Sequence, residues 1–367
     1  MEPEPRFMQE AIELALQSRG RTHPNPSVGA VVVRHATVVG RGFHAGPGHP
    51  HAEVVALEEA GGLAKGSDLY VTLEPCCTFG RTPPCTQAIV DAGISRVVAA
   101  VKDPNPRVDG AGAAALSKAG LEVVLGFMKN EGEAVDGAYH VYHRKGRPYV
   151  HLKWAQSLDG VVQAPGGGYL TGEEARRRVH RERFLADAIL VSSGTVRVDD
   201  PLLTVRLDSP PKPMVRVILD SPCSLTGREA VFATCPANGP IWAVVPEGHS
   251  NPALEGREGI DVIHLPKEPG GGFSIEGVLR ALRERQITAL YVEAVGRLAA
   301  SFLESLFVDH LTVHVAPVLL GREGALTGLE GRVLKGGKGL NLSNAVLERA
   351  GPDWVVTADL EARCLPA

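Results

Sequence analysis

Apolar positions recur along the chain in two alternating rhythms. From Phe7 to Arg19, the residues Phe7, Met8, Ala11, Ile12, Ala15 and Leu16 fall on one helical face, and Gly20 ends the run. After the turn THPNPSVG, the run Gly29 to Val33 and a second through Val38 and Val39 predict a β-hairpin. A helix over Ala52 to Ala60, strands over Leu69 to Leu73 and Val97 to Val101, and a further helix and strand ending at Leu125 continue the alternation. Asn130 to His143 reads as one helix. The charged segment RKGRP, Arg144 to Pro148, then interrupts the pattern, which restarts with a strand over Tyr149 to Ala155 and a basic helix over Gly172 to Leu185. Strands follow over Ala188 to Val191 and Met214 to Leu219, with two short ones inside Gly239 to Gly272. A helix over Ser274 to Arg285, a strand over Ala289 to Glu293 and a helix over Leu298 to Leu306 come next. The last apolar runs, Leu311 to Val315, Asn341 to Leu347 and Trp354 to Leu360, read as sheet strands. This alternation predicts an α/β fold with helices on both faces of a sheet. The interruption predicts two domains, 1–145 and 146–367.

Composition narrows the class. A chain of 367 residues, 44% hydrophobic and 22% charged, has room for two cores. A net charge of -4 and 5% aromatics provide no general basic field and few stacking platforms, which argues against a nucleic-acid partner. Three of the six cysteines lie in residues 76–85 and the others are scattered at Cys223, Cys235 and Cys364. That distribution does not suit a disulfide framework and fits a reducing, cytoplasmic location. The start MEPEPRFMQE lacks an apolar signal core and no window reaches 18 apolar residues, so no membrane partner is expected.

The candidate chemistry concentrates between Pro50 and Cys85. His51 and Glu53 form H-x-E, Pro75-Cys76 follows, and Cys85 closes the stretch, in the order of the zinc-deaminase signature. One imidazole and two thiolates would cancel the charge of a zinc ion and leave a fourth position for water. Zinc lowers the pKa of such a water towards ~7, and Glu53 is placed to take its proton and pass it on. The insert between Cys76 and Cys85 is eight residues rather than two, and its Pro83-Pro84 pair delivers Cys85 to the start of a helical run. Cys77 competes as a ligand but does not occupy the signature position. His44 and His49 are not ranked as ligands by spacing. Asn25, between two prolines, either presents its amide rigidly to a planar polar ring or makes an ordinary Asx turn. Buried thiols behaving as small hydrophobes are the bland alternative for the whole stretch, and four elements in order weigh against it.

With HAE, EPC and GRTPPC followed in order by LKWAQSLDG, TVRVDDPLLTVR and RVILDS, the chain resembles the bifunctional pyrimidine deaminase and uracil reductase family of riboflavin biosynthesis over both halves. The resemblance implies a cytidine-deaminase-like N-terminal domain with one zinc ion and a dihydrofolate-reductase-like C-terminal domain using NADPH. It also implies a small-molecule substrate, a diaminopyrimidinone bearing a ribosylamino 5-phosphate, deaminated first and then reduced from ribosyl to ribityl. By the same resemblance Asn25, His44, Asp103 and Asn105 contact the pyrimidine, and Arg81 contacts the phosphate. In the second half Ala155, Tyr169, Thr171, Thr195, Asp199 and Ser221 lie along NADPH, and Gly167, Arg183, Leu203, Arg206 and Glu293 line the substrate. Lys153 and Asp199 are candidates to polarise or protonate the ribosyl group as hydride arrives. The resemblance further implies a homo-oligomer, expected as a dimer through the reductase sheet. Two departures stand out: Cys77-Thr78-Phe79 where the family commonly has Ser-His, and Glu293-Ala294-Val295-Gly296 where it favours a Gly-rich turn. The competing reading is a nucleoside or tRNA-base zinc deaminase with a non-catalytic C-terminal scaffold.

Overall fold

The computed structural model describes residues 2–79, 83–163, 167–207, 212–321, 326–329 and 339–365. The chain falls into two compact units, Met1–Arg144 and Lys145–Ala367. The first is built on strands β1 (Gly29–Arg34), β2 (Thr37–Phe43), β3 (Asp68–Leu73), β4 (Arg96–Val101) and β5 (Glu122–Leu125). Their order in the sheet is β2-β1-β3-β4-β5. The hairpin β1–β2 and the β1–β3 pair are antiparallel, whereas β3, β4 and β5 run parallel. Every residue of β4 is buried, as a parallel strand covered on both faces requires.

Helices α1 (Pro5–Ser18), α2 (Ala52–Ala60), α3 (Cys85–Asp91), α4 (Ala111–Lys118), α5 (Lys129–Val135) and α6 (Gly137–Lys145) surround this sheet. A Cβ on Gly29 would strike α1 at Ala11, and one on Gly42 would strike α2 at Ala52. Gly29 and Gly42 stand one register step apart and so point to opposite faces. Thus α1 and α2 cover opposite sides of the hairpin. The single helix expected over Asn130 to His143 is instead α5 and α6, broken at Asp136, whose φ of -142° is not helical. The Asp136 carboxylate accepts the Tyr139 N–H at 3.2 Å, a capping bond that starts α6.

Among the described residues the second unit carries nine strands: β6 (Tyr149–Ser157), β7 (Ala188–Ser192), β8 (Val215–Leu219), β9 (Ile241–Pro246), β10 (Ile260–Leu265), β11 (Ala289–Glu293), β12 (His310–Ala316), β13 (Ser343–Ala350) and β14 (Asp353–Asp359). Their order is β10-β9-β8-β7-β11-β6-β12-β14-β13, parallel from β10 to β12 and antiparallel at β14 and β13. Helices α7 (Glu173–Phe184), α8 (Ser193–Asp199), α9 (Ala230–Ala233), α10 (Ile275–Glu284) and α11 (Gly296–Glu304) connect the parallel part. Helix α10 shows why the pattern was readable: Ile275, Val278, Leu279 and Leu282 are all buried on one stripe, and the Ser274 hydroxyl caps its start. Each such side chain contributes roughly 1.5–3 kcal/mol by leaving water. Strand β11 enters between β6 and β7, so these three strands run side by side to their carboxyl ends, the usual ligand position in an open α/β sheet. Among the described residues no helix is long and apolar enough to cross a membrane.

Candidate functional site

In the first unit three loops and a helix start bring the zinc-type donors together. His51 stands at the N-cap of α2 with extended backbone, Cys76 follows β3, and Cys85 is the first residue of α3. His51 Nδ1 lies 3.1 Å from Cys85 Sγ and 3.5 Å from Cys76 Sγ. The three donor atoms all lie within 4.8 Å of one another. Ligands ~2.0–2.3 Å from a tetrahedral ion stand about 3.5 Å apart, so the set fits zinc. Among the described residues Cys77 is not part of this group. The S–H of Cys85 and then the His51 imidazole hold the Cys76 thiol below its ordinary pKa, and the same pairing pushes Cys85 up. Glu53, in the first turn of α2, is 4% exposed. Burial, and after it the charge of Cys76, pushes its carboxyl up to about 7.

Beside this centre, His44 Nδ1 donates to the Pro50 carbonyl at 3.0 Å, which makes Nε2 the acceptor. Asn25 Nδ2 donates to that Nε2 at 3.1 Å, so the orientation of the Asn25 amide follows from the network. The His44 and His51 rings meet edge to face with centroids 5.3 Å apart. On another side, Asp103 Oδ1 accepts the Asn105 N–H at 2.8 Å and the Tyr139 O–H at 3.1 Å. Burial first, against these bonds, raises its carboxyl to about 6, and the charges of Glu74 and then Cys76 add to the shift. Glu74 pins this loop from beneath by accepting the backbone N–H groups of Asp103, Gly110 and Ala113 at 3.0–3.1 Å. Arg81 lies outside the described residues. Phe79 is 78% exposed.

In the second unit the chemistry sits at the shared carboxyl ends of β6, β7 and β11. Lys153 faces Glu293 across the β6–β11 register. Burial lowers the Lys153 pKa, with Glu293 opposing and Arg183 reinforcing the shift. Arg183 Nε donates to Glu293 Oε1 at 2.5 Å and its Nη1 to the Thr204 carbonyl at 3.0 Å. Burial alone would raise the Glu293 carboxyl, but Arg183 and then Lys153 hold it at about 2. Arg206 Nη1 donates to the Thr204 hydroxyl at 3.1 Å, so both arginines converge on one threonine. Asp199 is raised by burial and by the charge of Glu293. Ser192 caps α8 by accepting the Thr195 N–H, and its hydroxyl lies 3.2 Å from that of Thr195. Leu203 is buried with φ +54°, a conformation that side chains rarely adopt. Gly296, with φ +59°, makes the turn after β11, while Val295 takes extended backbone and packs on the core.

Residues 148–356 match the family profile described as RibD C-terminal domain, and residues 1–101 match that of the cytidine and deoxycytidylate deaminase zinc-binding region. RibD of Aquifex aeolicus is 40% identical over 352 residues, which cover 95% of this chain and 96% of that one. The chain belongs to the RibD family of riboflavin biosynthesis proteins. RibD of Escherichia coli is 39% identical over 342 residues, covering 88% and 91%. Among solved structures, RibD from Acinetobacter baumannii superposes with a TM-score of 0.87 at 34% identity, covering 97% of this chain and 98% of that one. A diaminohydroxyphosphoribosylaminopyrimidine deaminase/5-amino-6-(5-phosphoribosylamino)uracil reductase from Thermotoga maritima does so with 0.84 at 33% identity and the same coverage.

Membership in the RibD family gives the chain a zinc-binding deaminase half and a RibD reductase half, a bifunctional arrangement that leaves the scaffold reading of the C-terminal half unsupported. Of the expected site residues, the structure groups Asn25, His44, His51, Glu53, Cys76, Cys85, Asp103 and Asn105 in the first unit. In the second it groups Lys153, Arg183, Asp199, Arg206 and Glu293, with Ala155 two residues beyond Lys153 on the same face of β6. Tyr169 is 74% exposed beneath the Arg176 guanidinium at 4.8 Å and within electrostatic reach of Arg183. The Thr171 carbonyl accepts from Arg176 Nη1. Gly167 has φ +84° in an exposed turn. Ser221 follows β8 and is joined to Lys267. Sequence reasoning missed Glu74 as an anchor, Thr204 as the meeting point of two arginines, and His180, whose Nδ1 accepts the Arg206 N–H. Glu74 and Thr204 had a visible signal, their places in EPC and TVRVDDPLLTVR, and neither signal says what the residue binds.

Proposed function

We propose that the chain carries out both reactions named for the Thermotoga maritima relative, with the deaminase in Met1–Arg144 and an NADPH-dependent reductase in Lys145–Ala367. The convergence of His51, Cys76 and Cys85 with a buried carboxylate, Glu53, two residues from the imidazole carries this reading. Zinc held by the three donors would supply a Lewis acid that makes water nucleophilic at neutral pH. Glu53 would take one proton from the attacking water and pass it to the ring nitrogen, then take the proton left on the added hydroxyl and pass it to the departing amine, so one carboxyl moves protons twice. Asn25 and His44 orient the ring as one rigid pair, and Asp103 and Asn105 face it from the opposite loop. Arg81 is assigned to the phosphate, where a guanidinium fork meets two oxygens at once.

In the reductase, the donor set suits a dinucleotide: the helix starts at Ser192 and Val295 follow neighbouring strands, and such ends favour phosphate oxygens. NADPH bound there would supply the hydride. Ala155, Tyr169, Thr171, Thr195, Asp199 and Ser221 are assigned to the cofactor, and Gly167, Arg183, Leu203, Arg206 and Glu293 to the substrate. Glu293 holds Arg183 in place, and Arg206 presents its charge to the 5-phosphate. Lys153, whose amine has no hydrogen-bond partner among the described residues, or Asp199 gives the proton that the reduced sugar requires. A homodimer through this sheet is the assembly we assign, because edge strand β13 exposes Val346 at 49% and Leu347 at 66% beside a backbone row that no strand pairs among the described residues.

Ammonia release from the diaminopyrimidine ribosylamino phosphate, followed by the fall in NADPH absorbance, tests both steps on one sample. Glu53→Gln is expected to slow ammonia release by about 10²–10⁴-fold while zinc stays bound and reduction of the deaminated compound continues. Normal ammonia release by that variant would refute the role given to Glu53.

A further inference from the structure

We propose that Asp136 and Tyr139, which no motif marks, are positioning residues that fix the two substrate-facing turns of the deaminase relative to each other. Asp136, 6% exposed, accepts the Ser27 N–H on Oδ2 at 3.0 Å and the Tyr139 N–H on Oδ1 at 3.2 Å. One carboxylate therefore holds the turn that carries Asn25 and also starts α6. Tyr139, 4% exposed and on the first turn of that helix, donates its O–H to Asp103 Oδ1 at 3.1 Å. The route from Asn25 to Asp103 thus runs Ser27, Asp136, Tyr139 through two hydrogen bonds and one helical turn.

The brace has a chemical consequence. Asn25 commits its Nδ2 to His44, and Asp103 commits Oδ1 to Asn105 and Tyr139. Asn25 Oδ1 and Asp103 Oδ2 are left without partners among the described residues. Two acceptor oxygens held at a fixed separation beside the metal donors suit a ring that carries amino and N–H donors, as a diaminopyrimidine does. A carbonyl-rich ring would meet unpaired acceptors instead, which costs affinity. This inference rests on the reading that Asn25 and Asp103 touch the pyrimidine.

The test uses the zinc-loaded full chain and the diaminopyrimidine ribosylamino phosphate. Tyr139→Phe keeps the ring packing and removes only the O–H. It is expected to raise the deaminase KM about three- to tenfold, with kcat changed less than about twofold and zinc content unchanged. Combined with Asp103→Ala, which removes its main partner, it is expected to add clearly less than it does alone, the remainder passing through Asn105, whose side chain also meets the Tyr139 hydroxyl. An unchanged KM in Tyr139→Phe, or an effect that multiplies with that of Asp103→Ala, would overturn the brace. A wild-type KM in Asp103→Ala alone would instead remove the substrate contact on which it rests. Asp136→Asn, coupled in the same way to Asn25→Ala, checks the other end: a KM increase that disappears in the Asn25→Ala background supports the brace, and an additive one contradicts it.

Discussion

Glu74→Gln is the perturbation whose size follows most directly from the structure. The carboxylate is 3% exposed; Oε2 accepts the N–H groups of Asp103 and Gly110 at 3.1 and 3.0 Å, and Oε1 accepts that of Ala113 at 3.0 Å. An amide keeps one oxygen, so in either orientation its NH2 group must face at least one buried backbone N–H. Losing one charge-assisted bond and leaving one donor unsatisfied costs about 2–4 kcal/mol in total. For a unit of this size that lowers Tm by roughly 5–15 °C. The damage should not stay local. Helix α4 rests so closely on the Pro75 carbonyl that a Cβ on Gly112 would lie 2.0 Å from it, so a loosened α4 also frees the segment leading to Cys76. Calorimetry of the zinc-loaded chain should show the transition of the deaminase unit moving down. Hydrogen exchange should speed up at residues 103–113 while β6 and β7 keep their protection. An unchanged transition with unchanged exchange in that loop would refute the reasoning.

Two further outcomes follow from the second unit. Glu293, held at about 2 against an ordinary 4.5, contributes stability that is fully present above about pH 4.5 and is lost as pH falls towards 2. Glu293→Gln should therefore flatten the acid loss of reductase-unit stability in that window, measured by denaturant unfolding at a series of pH values; identical pH slopes would contradict the Arg183–Glu293 pairing. His314 is 0% exposed, and neither ring nitrogen has a partner among the described residues. His314→Leu removes that unsatisfied pair at similar volume and should stabilise the unit by about 1–2 kcal/mol in the same unfolding assay, whereas a loss of stability would show that the ring is satisfied.

What was legible in the sequence was what depends on near neighbours. The buried stripe of α10, the apolar run of β4 and the Pro-Pro delivery of Cys85 to a helix start all follow from local periodicity and backbone restriction. His51, Glu53, Cys76 and Cys85 were readable because a metal site needs its donor types in order, even with a long insert. The break at Asp136 was not, because the group that draws its carboxylate away is Ser27, 109 residues earlier. Helix α8 was missed because SGTVRVD carries a glycine and three β-branched residues, and its start is secured by the Ser192 cap. The entry of β11 between β6 and β7, which sets Glu293 beside Lys153, is a long-range choice that no window of residues records. Likewise Thr204 sits within TVRVDDPLLTVR, but nothing in that motif says that it anchors both Arg183 and Arg206.

Metal content of the purified full-length chain, after removal of any tag and reconstitution with zinc, tests the deaminase centre most directly. Wild-type protein and Cys77→Ser should each retain about one zinc per chain, and His51→Ala, Cys76→Ser and Cys85→Ser should each lose it. Stoichiometric zinc surviving in Cys85→Ser, or none binding to the wild type, would contradict the assignment of His51, Cys76 and Cys85 as its ligands.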